Sequence, residues 1–129
     1  MDNQARPRGA LGETLAQLFL ESRGYTILAK NQRAGRREID LVAERGATLI
    51  AVEVKWRRER AGDTPGAVAL TWRHAQRARA GEAVLCLMEH WPGGSERPWR
   101  FDLVAIEERA NGWTLVHHPG AWSPGESYW

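Results

Sequence analysis

Two neighbouring apolar runs carry charges of a kind that apolar runs seldom hold. The first is Glu38-Ile39-Asp40-Leu41-Val42-Ala43 and the second is Thr48-Leu49-Ile50-Ala51-Val52-Glu53-Val54-Lys55, with Glu44-Arg45-Gly46-Ala47 between them. Both read as strands, and the short polar link reads as a turn at Arg45-Gly46. Charges inside such strands require a partner or a metal, because desolvating a lone charge is expensive. Glu53 and Lys55 are two apart and share a face of their strand. A two-residue turn at Arg45-Gly46 pairs Asp40 with Ala51 on that same face. Directly opposed residues lie about 5 Å apart, so Asp40 and Glu53 become diagonal neighbours. A three-residue loop would shift this register by one residue unless a bulge restored it.

Composition sharpens the oddity of Lys55. Of 18 basic residues only Lys30 and Lys55 are lysines. Lysine is a compact point charge whose pKa can shift, which arginine cannot imitate. The chain otherwise looks like one ordinary domain. It has 129 residues, 43% hydrophobic and 26% charged, which suits a globular core of modest size. No apolar run reaches the roughly 20 residues of a membrane span, and Met1 to Arg8 lacks the apolar stretch of a signal peptide. A cytoplasmic location without membrane attachment is expected. The single cysteine, Cys86, excludes an internal disulfide or a multi-cysteine zinc site, and its apolar surroundings predict a buried structural thiol.

Along the chain, residues 1–8 read as a disordered leader. Leu11, Leu15, Leu18 and Phe19 recur at helical spacing before Gly24, predicting a first helix over about Ala10 to Arg23. Tyr25 to Ala29 predicts a short strand, and Asn31 to Arg37 a basic loop. Thr64-Pro65 reads as the cap and first turn of a second helix ending near Gly81. Ala83 to Met88 predicts another strand. Arg100 to Ile106 and Trp113 to His117 predict a final hairpin turning near Asn111-Gly112. A domain over residues 9–118 and an extended tail over 119–129 complete the division. The expected fold is α/β (α+β), a central mixed sheet flanked by helices in the order α-β-β-β-α-β-β-β.

Two carboxylates at the spacing of Asp40 and Glu53 repel unless a cation or proton lies between them. Mg²⁺ or Mn²⁺ suits such a pair, since Mg²⁺ is held by one or two carboxylates with water or phosphate completing its shell. An ion so held can activate water and stabilise a phosphate in transfer. Lys55 would orient the attacking water or neutralise transition-state charge. Glu13, at the start of the first helix, is a fourth candidate, although the helix dipole alone would explain an acid there. A solvent-exposed ion pair is the plain explanation of Glu53 and Lys55 taken alone. Arginines flank the site: Arg33, Arg36 and Arg37 before it, Arg57 and Arg58 after Lys55, and Arg73 and Arg77 further on. The formal net charge is only +2, so it is this clustering that points to a nucleic-acid partner. Of seven tryptophans, Trp56 and Trp72 are the candidates for stacking on bases. His117-His118 is a weak metal-binding candidate without a third ligand nearby.

Several short motifs occur together: Gly12-Glu13, Gly24-Tyr25, Asn31-Gln32-Arg33, Glu38 to Ala43, Val52-Glu53-Val54-Lys55, and Arg100-Phe101-Asp102-Leu103-Val104. In this they resemble the YraN-like family of uncharacterised bacterial proteins over about residues 9–106. That family is similar in fold to restriction endonucleases and archaeal Holliday junction resolvases, the PD-(D/E)XK superfamily. The resemblance implies a metal-dependent nuclease site made of Glu13, Asp40, Glu53 and Lys55, with Asp40, Glu53 and Glu13 at the metal. Arg37 stands where the family usually has glycine, and Trp56 where it often has threonine. Arg73, beside His74, replaces a lysine that often lies early in the second helix.

Three functions remain open. One is a Mg²⁺- or Mn²⁺-dependent deoxyribonuclease acting on branched or single-stranded DNA, with a homodimer possible because junction-cleaving enzymes commonly pair. Another is a nuclease-fold module that binds DNA or a protein without cleaving. The third is an interaction module whose tryptophan-rich tail docks a partner.

Overall fold

The computed structural model of the protein describes residues 5–58 and 74–122. Helix α1 spans Ala5–Ser22. Strands β1 (Thr26–Ala34), β2 (Arg37–Arg45) and β3 (Thr48–Arg58) follow. Helix α2 spans His74–His90, a 3-10 turn covers Gly94–Glu96, and strands β4 (Trp99–Arg109) and β5 (Gly112–Trp122) close the described chain. The five strands form one sheet in the order β1-β2-β3-β4-β5. All neighbours are antiparallel except β3 and β4, which run parallel. A parallel pair cannot be joined by a tight turn, and the β3–β4 connection carries α2 onto one face of the sheet.

The two described helices sit on opposite faces. Under α2 lie Val42, Leu49, Ala51, Phe101 and Leu103, packed against Ala80, Ala83, Val84 and Leu87. Under α1 lie Leu41, Ala43, Ile50, Val52 and Val104, packed against Ala16 and Leu20. Successive residues of β2 and β3 thus feed two cores, which is why both strands read as continuous apolar runs. The mixed sheet flanked by helices is the expected fold class.

Several expected elements are corrected. Residues 83–88 are not a strand, and α2 does not stop at Gly81 but runs through it to His90. Ala80, Ala83, Val84 and Leu87 are buried while Leu85 is 55% exposed, a helical period rather than an alternation. An interior glycine costs a helix only about 1 kcal/mol, and this packing outweighs it. Among the described residues the sheet therefore has five strands, not six. Asn31 to Ala34 belongs to β1 rather than to a loop, and the chain turns at Gly35-Arg36. Helix α1 begins at Ala5, inside the expected leader. Strand β5 continues past His117 to Trp122, because it keeps pairing with β4 as far as Phe101↔Trp122 across an irregularity. The α1 core face is also rephased. Leu11 and Leu18 are 50% and 59% exposed, while Gly12, Ala16 and Leu20 face the sheet. The expected helix start at Thr64, together with Trp72, lies outside the described residues. No described helix is long and apolar enough to cross a membrane.

Candidate nucleic-acid interface and its acidic core

The turn between β2 and β3 falls at Gly46-Ala47, where Gly46 adopts φ 58°. Glycine takes that left-handed conformation without steric cost. Pairing runs from Arg45↔Thr48 to Leu41↔Val52. The expected pairing of Asp40 with Ala51 is therefore wrong by two residues, and Ala51 opposes Val42. A shift of two keeps every side chain on its face. It also moves Asp40 to the level of Glu53, one step past the last pair. There the carboxylate replaces backbone pairing: Asp40 Oδ2 accepts the Val54 N–H at 2.8 Å.

Asp40 lies in a crowd of like charge. Burial pushes its carboxyl up to about 6 from an ordinary 3.8, and Glu53 and Glu13 push the same way. The Val54 N–H and Lys55 oppose them. Glu13, Glu53 and Lys55 are thus all within electrostatic reach of Asp40. Lys55 Nζ lies 2.9 Å from Glu53 Oε1, with the two side chains 43% and 32% exposed. An ion pair so open to water contributes little to stability, roughly 0–1 kcal/mol. Its place in β3 is not explained by holding the fold together.

Glu13 is mid-helix in α1, not in its first turn, so the helix dipole does not account for it. Its position follows from Gly12. A Cβ there would lie 3.3 Å from the Trp56 ring, 3.4 Å from Ile106 and 3.6 Å from Val54. The missing side chain lets α1 press onto the sheet and brings Glu13 to its edge. Asn31 meets it from β1. With its amide nitrogen turned to the acids, Asn31 donates to Glu13 Oε1 at 3.0 Å and to Glu38 Oε1 at 3.2 Å. Asn31 is the only described non-glycine residue with positive φ, at 50°, a conformation that asparagine tolerates better than most residues. Glu38 shares this amide with Glu13.

A cleft of about 350 Å³ opens beside Glu53 and Lys55, with Arg36, Arg37, Arg79 and Glu38 around it. Its floor is apolar: Ile39, Ala80, Ala83 and Phe101. Arg36 comes from the β1–β2 turn, Arg37 from the start of β2 and Arg79 from α2. Arg33 and Arg58 are exposed on β1 and at the end of β3, and Arg57 is half-buried. Arg73 lies outside the described residues, as does the side chain of Arg77. Trp56 is corrected as a stacking candidate. It lies half-buried under α1, and its indole N–H donates to Glu108 Oε2 at 3.1 Å. Cys86 is half-buried rather than fully enclosed, because it sits at the edge of the α2 core.

The model of "Uncharacterised protein family UPF0102" matches residues 12–106, which contain all four acidic-site candidates and the cleft. The chain belongs to this family. A UPF0102 protein of Roseiflexus castenholzii is 39% identical over 115 residues, covering 88% of this chain and 90% of the relative. One from Symbiobacterium thermophilum is 38% identical over 108 residues, covering 84% and 88%. Among solved structures, SfsA of Pyrococcus furiosus in complex with Ca²⁺ has a TM-score of 0.39 and 15% identity, covering 88% of this chain and 63% of that one. UPF0102 falls within the PD-(D/E)XK, restriction-endonuclease-like superfamily, and the sheet topology above has that arrangement.

The UPF0102 chain offers a divalent cation hard oxygen donors, and the raised Asp40 carboxyl marks a place where positive charge would be welcome. The donors do not converge, however. Among the described residues no three histidine, cysteine, aspartate or glutamate side chains gather as a metal centre. Asp40 Oδ2 is taken by Val54 N–H, Glu53 Oε1 by Lys55 and Glu13 Oε1 by Asn31. An ion held by one or two of these carboxylates, with water or phosphate completing its shell, needs no such centre, and Asp40, Glu53 and Glu13 are the residues that would hold it.

A second charged cluster of this UPF0102 protein escaped sequence reasoning. Asp102 on β4 is 0% exposed. Arg100 Nε reaches its Oδ1 at 2.7 Å and the Arg100 guanidinium its Oδ2 at 2.8 Å. His117 Nε2 lies 2.7 Å from Oδ2, and Gly120 N donates to Oδ1 at 3.0 Å. Arg100 also donates to the Tyr25 hydroxyl at 2.7 Å. Burial alone would raise the Asp102 carboxyl, but the bonds from His117, Arg100 and Gly120 outweigh it and hold it below the ordinary range. His117 therefore serves this network and is not half of a metal-binding pair. The one local signal was an aspartate between Phe101 and Leu103 in an apolar run.

Proposed function

We propose that this protein is a nucleic-acid-binding module built on a nuclease fold, with DNA as its partner. The observation that carries this is the cleft beside Glu53 and Lys55, where Arg36, Arg37 and Arg79 join an apolar floor. Arginine binds phosphate through a planar, bidentate fork, and apolar surface suits the faces of bases. Membership of a nuclease-fold family supports the partner class. Fluorescence anisotropy with labelled DNA across a salt series tests it. The expected result is affinity that falls steeply as salt rises, as phosphate contacts require. Absence of DNA binding at low salt would overturn it.

A second reading is metal-dependent phosphodiester hydrolysis, favoured by the raised Asp40 carboxyl among Glu13, Glu53 and Lys55. It requires Asp40, Glu53 and Glu13 to draw together on Mg²⁺ or Mn²⁺ when DNA is bound. Supercoiled, single-stranded and four-way-junction DNA would be incubated with each ion, using wild-type, Asp40→Ala and Lys55→Ala proteins. Cleavage lost in both variants supports hydrolysis at this site. Cleavage that survives both places the reaction elsewhere.

A further inference from the structure

The cleft does not stand alone. A second chamber of about 260 Å³ shares Arg36, Arg37 and Ala83 with it and continues past Gly35 and Glu82 to Cys86. The shared residues make the two chambers neighbours along the strip between the β1–β2 turn and α2, which we read as one groove. Ala83, which lines both, is a small and buried side chain. The two volumes, about 350 and 260 Å³, lie close to the lower end for ligand pockets, about 300 Å³, which suits a single nucleotide in each. A base-paired duplex is far too wide for either. Arg36 and Arg37, both exposed, stand at the shared wall. A phosphate linking nucleotides in successive chambers would sit there. The acids are not shared between the chambers: Glu53 and Glu38 line the first and Glu82 the second. They repel phosphate and accept hydrogen bonds from exocyclic amino groups of bases.

Resting on the nucleic-acid reading above, we infer that this groove takes an unpaired strand, two successive nucleotides deep, with their linking phosphate held by Arg36 and Arg37. The end near Glu53 and Lys55 receives one nucleotide, and the end near Cys86 receives the next.

The single cysteine makes the test site-specific. A short oligothymidylate, its RNA counterpart and a blunt duplex would be compared by anisotropy, while iodoacetamide alkylation of Cys86 is followed by mass spectrometry. Single strand is expected to bind at least about tenfold more tightly than duplex, a gap of 1.4 kcal/mol, and to slow alkylation of Cys86. The DNA and RNA strands report whether the sugar matters, and preference for either over duplex supports the groove. The Arg36→Gln/Arg37→Gln protein should lose about tenfold in single-strand affinity. Its salt dependence should flatten by roughly 0.7 for one lost phosphate contact. Arg23→Gln, on the α1 side, should change neither. Thermal unfolding checks that the double variant is folded, and Arg79→Gln replaces it if it is not. Equal binding of duplex, or single-strand binding that leaves Cys86 unshielded, overturns the groove while leaving nucleic-acid binding standing. Failure of every nucleic acid to bind overturns both.

Discussion

The Asp40 carboxylate accepts the backbone N–H of Val54 at 2.8 Å, and so ties β2 to β3 just where their regular pairing ends. This bond favours the ionised acid, yet burial and the neighbouring acids win and raise the carboxyl to about 6. The folded protein thus holds a proton on Asp40 to a higher pH than the unfolded chain, whose aspartate ionises near 3.8. The stabilisation from this group is complete below about pH 4 and is lost as pH rises through about 6. Asp40→Asn should therefore stabilise the protein at pH 7 by about 1–3 kcal/mol, since the fold raises this carboxyl from 3.8 to about 6 and so disfavours its ionised form. The asparagine carbonyl still accepts from Val54. Urea unfolding at pH 7 and pH 4 checks this, and the gain should vanish at the lower pH.

Lys55 and Glu53 act on Asp40 with opposite sign. Lys55→Gln should raise the Asp40 carboxyl above its native value, and Glu53→Gln should lower it. Carbon-detected NMR titration of the aspartate carboxyls reads both directly. Movement in the same direction in both variants would show that the three residues do not share a field. Neither change should cost more than about 1 kcal/mol of stability, since the pair is open to water.

These relations were only partly legible in the sequence. The shared face of Asp40 and Glu53 was readable because strand periodicity survives a register error of two. Their common level was not, because it depends on whether the chain turns at Arg45-Gly46 or Gly46-Ala47. Residues 83–88 misled as a strand because a short apolar run carries little period of its own. The buried set Ala80, Ala83, Val84 and Leu87 becomes visible only when the window spans Gly81. In α1 the large residues Leu11 and Leu18 drew attention, but the small ones, Gly12 and Ala16, make the contact, since close approach needs absence of bulk. The Asp102 network joins Tyr25, Arg100, His117 and Gly120 across distant parts of the chain, and no local pattern announces it.

Gly12 links packing to the site. Alanine there would gain about 1 kcal/mol of helix propensity but needs the Trp56 ring to yield by a few tenths of an ångström. Gly12→Ala should therefore be near neutral. Gly12→Leu has no such room and should cost about 1–3 kcal/mol through overpacking. By lifting α1 it should also carry Glu13 away from Asp40 and lower the Asp40 carboxyl. Urea unfolding and the same NMR titration separate these effects. A leucine variant with native stability and an unchanged Asp40 would show that α1 is not seated through Gly12.

Asp102 is the residue on which the other face depends. It is fully buried, and both its oxygens are occupied by Arg100, His117 and Gly120. Removing one partner from a buried charged pair leaves the other uncompensated, which costs about 3–5 kcal/mol. Asp102→Ala should lose that much, because Arg100 keeps its charge with only Tyr25 as a named partner. The depressed carboxyl fixes the pH dependence: its stabilisation is present above the ordinary aspartate range near 3.8 and is lost as pH falls through the lower folded value. Acid unfolding of the wild type should accordingly show a component that Asp102→Asn removes. Equilibrium unfolding from pH 7 to pH 2 measures it. An Asp102→Ala protein as stable as the wild type at pH 7 would mean that the network positions β5 without supporting the fold.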